Sequence, residues 1–218
     1  MDMKTTIIKD DIELAFTLIK SGKLVAVPTE TVYGLAGNGL DTEAVEKIYE
    51  VKGRPQIKPL ALMIPDSGSM ERYCEPVPEQ AKMLAKRFWP GPLTIVLEAK
   101  AIVPEIVRAG GDTVALRCPD HPLTLELLQK TQLPLAAPSA NPSGEPSPKN
   151  AAKVVEYFDG KISLDDAVEN LKRETRRYAK RQLTWFRRND SITWLCADEM
   201  SRSELNEKAI TLAKNFLK

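Results

Sequence analysis

The chain alternates between short apolar runs and helical patterns of mixed polarity. Asp11 precedes Ile12, Ala15, Phe16 and Ile19 at i, i+3, i+4 and i+7, and Gly22 follows them, which predicts a capped helix. Thr5–Ile8 before it reads as a short strand or lead-in. Leu24-Val25-Ala26-Val27 is an apolar, β-rich run closed by Pro28; the polar turn Thr29-Glu30-Thr31 follows, and then Tyr33-Gly34 and the glycines Gly37 and Gly39. Thr42 is placed to cap a second helix whose inner face is Ala44, Val45, Ile48 and Tyr49, and Gly53 stops it. Pro59–Ile64 predicts a buried strand and residues 65–69 a loop.

Residues 79–89 repeat the helical period, with Ala81, Leu84, Ala85 and Phe88 on one face, until Trp89-Pro90-Gly91-Pro92 ends it. Leu93–Leu97 and Thr113–Arg117 predict strands, and Ala101–Asp112 between them a short helix or loop. Pro122 suits the first turn of a helix carrying Leu125 and Leu128. Leu133–Ala137 then runs into the turn-rich Pro138-Ser139-Ala140-Asn141-Pro142-Ser143-Gly144. Met63 and Trp89 read as core, and so can Tyr33. The expected class is α/β: a mixed, twisted sheet with flanking helices, hairpin pairs being open beside parallel ones.

Ser163 begins a long helical pattern. At about 100° per residue, Leu164, Ala167, Val168, Leu171, Thr175, Tyr178 and Ala179 share one side. Lys172, Arg173, Arg176, Arg177, Lys180 and Arg181 fall roughly opposite in two rows. Residues 171–188 hold eight basic side chains against the single acid Glu174. That stripe fits a phosphate backbone, with Tyr178, Trp185 and Phe186 available for stacking or core, or it is a solvated helix face. Ser201 and Glu204 form a capping-box pair ahead of a last helix with Leu205, Ala209, Leu212, Ala213 and Phe216 on one face. The division expected is therefore an α/β domain over residues 1–162 and a mainly helical, basic tail over 163–218.

Composition narrows the class without choosing a function. With 218 residues, 43% apolar and 28% charged, and a net charge of +1, the chain reads as ordinary globular protein. Three cysteines without C-x-x-C spacing argue against a disulfide framework or a zinc site, and point to a reducing cytoplasm. The N-terminal stretch has no apolar h-region, and no run approaches the ~18 residues of a membrane span. No metal-ligating set is assigned.

The candidate chemistry lies in residues 24–64 and 117–144. Lys52, Arg54 and Lys58 place three cations between a helix end and a strand, as a clamp for phosphate or as a solvated helix terminus. Ser139 and Asn141 can add hydroxyl and amide contacts to phosphate oxygens, or PSANPSG is a plain turn. His121, between Asp120 and Pro122, reads as a turn or cap residue.

In series, KSGKLVAVPTETVYGLAGNG, IYEVKGRPQIKPLALMI, FWPGPLTIVL, VALRCPDHP and PLAAPSANPSGEPSP resemble the YrdC family of threonylcarbamoyl-AMP synthases over residues ~5–162. The resemblance implies a YrdC-like sheet and synthesis of L-threonylcarbamoyladenylate from L-threonine, bicarbonate or CO2, and ATP, with Mg2+ and release of pyrophosphate. It also implies use of the product to modify the adenosine beside the tRNA anticodon, with downstream threonylcarbamoyl-transferase proteins as partners. By the same resemblance, Lys52 and Arg54 are catalytic. Lys52, Arg54, Lys58, Ser139 and Asn141 hold ATP phosphates, and Thr29, Thr31, Tyr33 and Arg117 form the threonine side. No general base is assigned.

Past Ile162 the family pattern is left: no segment like GLESTVVD or ILRPG occurs in 163–218, which predicts an unpaired strand edge and an incomplete ATP site. Instead, LKRETRRYAKRQLTWFRR with Ile192-Thr193-Trp194-Leu195 resembles the C-terminal segment of tRNA dimethylallyltransferases over residues ~162–195. That resemblance implies tRNA contact through Arg173, Arg176, Arg177, Lys180 and Arg181. Since the P-loop and catalytic Asp region of that family are absent, it implies no prenyl transfer. The alternative function is a non-catalytic tRNA- or RNA-binding chimera of the two segments.

Overall fold

The computed structural model describes residues 5–159, Leu195 and residues 200–216. The chain divides into two compact units, Met1–Leu171 and Lys172–Lys218. The expected boundary at 162/163 and the basic stripe of residues 172–181 lie outside the described residues.

In the first unit the order is α1 (Ile12–Lys20), β1 (Val25–Val27), β2 (Gly34–Asn38), α2 (Thr42–Lys52) and β3 (Ala61–Met63), then a 3-10 turn (Ser67–Ser69) leading into α3 (Met70–Tyr73). There follow α4 (Glu79–Phe88), β4 (Ile95–Glu98), α5 (Glu105–Arg108), β5 (Thr113–Arg117), α6 (Pro122–Thr131), β6 (Leu135–Ala136) and α7 (Ala151–Phe158). Six strands form one sheet in the order β1-β2-β6-β3-β5-β4. Among the described residues only β3 and β5 pair in parallel, with Ala61 opposite Ala115 and Met63 opposite Arg117; the other named pairs are antiparallel. The mixed α/β expectation holds.

Alternation along the strands sends side chains to two cores. Leu62, Ile64, Val114 and Leu116 join Val45 and Ile48 of α2, Ala81 and Ala85 of α4, and Val107 of α5. On the opposite face, Val25, Val27, Met63 and Leu135 meet Ala15 and Ile19 of α1 and Leu127 and Leu128 of α6.

Several elements differ from the sequence reading. Gly34 and Gly37, whose composition reads as loop, lie in β2, and Gly39 follows directly after it. Gly37 and Gly39 answer close packing. A Cβ on Gly37 would lie 2.8 Å from Leu24 Cδ2 and 3.3 Å from Ile48 Cδ1, and one on Gly39 would lie 2.5 Å from Leu62 Cδ2. β1 and β2 therefore form a hairpin. The cap of α2 is Asp41 rather than Thr42: its Oδ1 accepts from Glu43 N (3.0 Å) and Ala44 N (3.3 Å). Gly53 ends that helix as expected, with left-handed φ 55°.

The inner face of α4 is Ala81 and Ala85; Leu84 and Phe88 lie on its flank, 45% and 48% exposed. The small pair lets the helix sit close on the core and turns the bulkier residues outward. Thr5–Ile8 joins no strand, and Thr5 N donates to Asp159 Oδ1. His121 is the N-cap residue of α6, with Pro122 behind it.

In the second unit, α8 (Arg202–Phe216) opens with the expected capping box: Ser201 N donates to Glu204 Oε2 (2.9 Å) and Glu204 N to Ser201 Oγ (3.4 Å). Among the described residues no helix is long and apolar enough to cross a membrane.

Candidate functional site

The site is built where α2 ends. Asp41 starts the helix and Gly53 reverses the chain after Lys52, so Lys52 and Arg54 leave the helix terminus in different directions. Lys52 turns inward. It is 3% exposed, and its ammonium donates to the backbone carbonyls of Ser139 and Asn141. Its own carbonyl accepts from Ser143 N (2.6 Å). The last turn of α2 and the Ser139–Ser143 loop are thus clasped together. Burial, then the nearby Arg54 charge, push the Lys52 ammonium down to about 8.

Arg54 stays at the surface side. Its Nη2 donates to Pro59 O (3.0 Å) and its Nε to Lys58 O (3.3 Å). Tyr49 Oη donates toward the same Lys58 carbonyl (2.9 Å) and lies 3.1 Å from Ile106 O. Burial raises the Tyr49 phenol above its ordinary value, against a smaller opposing effect of Arg54. The loop between Gly53 and Ala61 is therefore braced from two sides. Lys58 is exposed.

Beside that loop lies a pocket of about 350 Å3 lined by Arg54, Pro59, Leu60, Ala61, Ala115, Pro138 and Ser139. Ala61 and Ala115 face each other across the parallel β3–β5 ladder, and two methyl side chains at one register leave the hollow. The 138–140 segment closes another side. It bonds to the start of β2 through Leu35 N to Pro138 O (2.7 Å) and Ala140 N to Tyr33 O (2.8 Å). Asn141 is buried. Its Nδ2 donates to Pro142 O (2.8 Å) and Glu145 O (2.6 Å), while its buried Oδ1 has no partner among the described residues.

Of the residues expected on phosphate, Arg54 and Ser139 line the pocket. Lys52 and Asn141 stand behind Ser139, and Lys58 lies outside the lining.

The threonine-side residues sit on the β1–β2 turn and at the end of β5. Thr29 Oγ1 donates to Val32 O (2.6 Å) and lies 3.0 Å from Thr31 Oγ1. Tyr33 N donates to Pro148 O (2.8 Å), which ties the turn to the loop after β6. Arg117 Nη2 donates to Thr31 Oγ1 (3.0 Å) and Glu30 Oε1 (2.5 Å). Ala115 and Arg117 share a face of β5, two residues or roughly 7 Å apart, so the guanidinium and the pocket floor belong to one side of the sheet. Sequence reasoning missed Glu30, whose signal was a carboxylate between two threonines. It also missed the Ala61–Ala115 floor, which only register reveals.

The arrangement defines a class: a mixed α/β protein with a pocket on one face of its sheet, an arginine and a hydroxyl on the rim, and the Arg117–Glu30 pair on the same face. The Sua5/YciO/YrdC family model, described as telomere recombination, matches residues 17–175, and the chain belongs to that family.

It is 52% identical to a threonylcarbamoyl-AMP synthase of Pyrococcus abyssi over 151 residues, covering 69% of this chain and 44% of that protein. It is likewise 52% identical to a threonylcarbamoyl-AMP synthase of Bacillus subtilis over 151 residues, covering 68% of this chain and 43% of the relative. The chain thus spans less than half the length of these two relatives. Among solved structures, P. abyssi Sua5 complexed with L-threonine superposes with a TM-score of 0.68 at 50% identity, over 72% of this chain and 47% of that one.

Proposed function

We propose that this chain forms L-threonylcarbamoyladenylate from L-threonine, bicarbonate or CO2, and ATP, releasing pyrophosphate. The observation that carries the reading is the shared sheet face: a pocket edged by Arg54 and Ser139 and, two residues along β5, the Arg117 guanidinium beside Thr31. The names of the relatives and the threonine complex of Sua5 support it.

In this reading the threonine amine bonds to carbon dioxide and loses a proton, giving a carbamate. A carbamate oxygen then bonds to the α-phosphorus of ATP as the bond to the β-phosphate oxygen breaks. The protein's contribution is to hold and neutralise these anions in one geometry, and no covalent nucleophile is needed. Arg54 meets phosphate from the pocket rim, with Lys58 reaching in from outside. Ser139 offers its hydroxyl, while Lys52 and Asn141 fix the loop that carries it. Thr29, Thr31 and Tyr33 form the threonine wall, and Arg117 takes its carboxylate.

In this reading Mg2+ enters with the triphosphate as part of the substrate. When bound it supplies charge neutralisation on the phosphate oxygens.

The reading extends to tRNA. In this reading the tail over residues ~162–195 serves like the end of tRNA dimethylallyltransferases, with Arg173, Arg176, Arg177, Lys180 and Arg181 meeting the tRNA backbone. Transfer of the threonylcarbamoyl group to adenosine by downstream proteins, in a cytoplasmic setting, completes the proposal. Mass spectrometry of a reaction with 13C-bicarbonate tests it: threonylcarbamoyl-AMP carrying one heavy carbon is expected, and its absence from folded protein refutes the reading.

A further inference from the structure

The geometry points to Glu30 as the residue that positions Arg117 for the carboxylate of the substrate, an inference that rests on the threonine reading above. Glu30 uses both carboxylate oxygens. Oε1 accepts from Arg117 Nη2 at 2.5 Å, and Oε2 accepts from the Asp120 backbone N–H at 3.0 Å. One side chain of the β1–β2 turn therefore grips the end of β5 and the segment that enters α6.

A second tie acts in parallel: Thr124 Oγ1 of α6 donates to Pro28 O at 2.5 Å. The turn that carries Thr29 and Thr31 is fastened at both flanks, and the pair is mostly shielded, with 16% of the Arg117 side chain and 21% of the Glu30 side chain exposed.

A guanidinium has five N–H donors. Glu30 and Thr31 engage only Nη2, and the buried Nε has no partner among the described residues. The carboxylate thus anchors the guanidinium at one corner and leaves other donors for a second anion. An arginine held in this way loses less side-chain freedom when a substrate carboxylate arrives. Glu30 touches no reacting atom; it acts through Arg117.

This predicts a particular split in kinetics. Glu30→Ala, and the volume-preserving Glu30→Gln, should raise the threonine KM at least tenfold while the ATP KM stays within twofold. On an Arg117→Ala background, Glu30→Ala should change the threonine KM by less than twofold, since the residue it acts through is gone. A purely structural brace would move both KM values together, and its effect would add fully to that of Arg117→Ala; either result overturns the inference.

A second readout does not depend on turnover. With 15N-labelled arginine, the Arg117 guanidinium resonance, assigned by its loss in Arg117→Lys, should show an ordered side chain in the wild type and a mobile one in both Glu30 variants. Equal order in all three overturns the positioning role. If the wild type shows no threonine-dependent turnover, the functional reading fails, and the NMR comparison alone then decides whether Glu30 orders Arg117.

Discussion

Replacing Lys52 with methionine removes the ammonium and keeps most of the stem. In the structure that ammonium is the partner of two carbonyls, those of Ser139 and Asn141, from a residue only 3% exposed. Each buried acceptor left without a donor costs about 1–3 kcal/mol. Relief of the charge's own burial offsets part of this, so a net loss of about 2 kcal/mol is expected. For a domain of this size, ~1 kcal/mol moves Tm by about 2–4 °C, and Lys52→Met should melt roughly 4–8 °C below the wild type. Activity should fall further than stability. Without the clasp, the Ser139–Ser143 loop no longer holds its hydroxyl at the pocket rim, and pyrophosphate release at 25 °C should drop at least a hundredfold while the protein remains folded.

Arg54→Ala is the contrasting variant. Its bonds are to carbonyls of an exposed loop, so Tm should shift by less than about 2 °C with a similar loss of activity. The assay is a thermal scan by circular dichroism beside a coupled pyrophosphate measurement. A Lys52→Met protein that melts within 1 °C of the wild type would refute the reasoning, because Lys52 would then be a solvated cation.

Other expectations follow from the same geometry. Ala115→Leu fills the pocket floor and should abolish turnover with a loss of stability below about 2 kcal/mol, since its side chain enters the hollow rather than a packed core; retained turnover would remove the pocket from the mechanism. Gly39→Ala sets a methyl 3.0 Å from Pro134 O and 2.5 Å from Leu62 Cδ2, and should destabilise by about 1–3 kcal/mol in urea titration. Lys52 titrates at about 8, so it is cationic below that pH and neutral above it. The log of kcat/KM for ATP should therefore fall as pH rises through 8, and a flat profile from pH 7 to 9.5 would contradict its charged role. Neutralising Arg176, Arg177, Lys180 and Arg181 together should weaken tRNA binding and lower the salt slope by about 0.7–0.9 per lost phosphate contact; an unchanged slope would mark the stripe as a solvated face.

Local chemistry made the helices legible. Asp11 before an i, i+3, i+4, i+7 pattern, Gly53 at a helix end and Pro122 at a helix start each act within one turn of chain. What stayed hidden was set by partners far away. Gly34 and Gly37 carry loop composition, yet they lie in β2, and at Gly37 and at Gly39 just beyond the strand the neighbours Leu24, Ile48 and Leu62 pack so closely that a side chain would not fit. Ala81 and Ala85 outrank Leu84 and Phe88 as the inner face of α4 because close approach favours the smaller pair.

The site divides in the same way. Arg54 and Ser139 were readable as phosphate chemistry, and both line the pocket. That Lys52 spends its ammonium on carbonyls 87 and 89 residues away was not readable, because the acceptors are backbone and leave no mark in side-chain identity. Glu30 was visible as a residue, but its function depends on β5 ending beside the turn.

The most direct test of the central claim is pyrophosphate release by the purified chain with ATP, Mg2+ and bicarbonate, with and without L-threonine. Release that depends on threonine is the expected result. No release above the threonine-free control, from protein with a cooperative melt, would contradict the assignment of this pocket to adenylate synthesis.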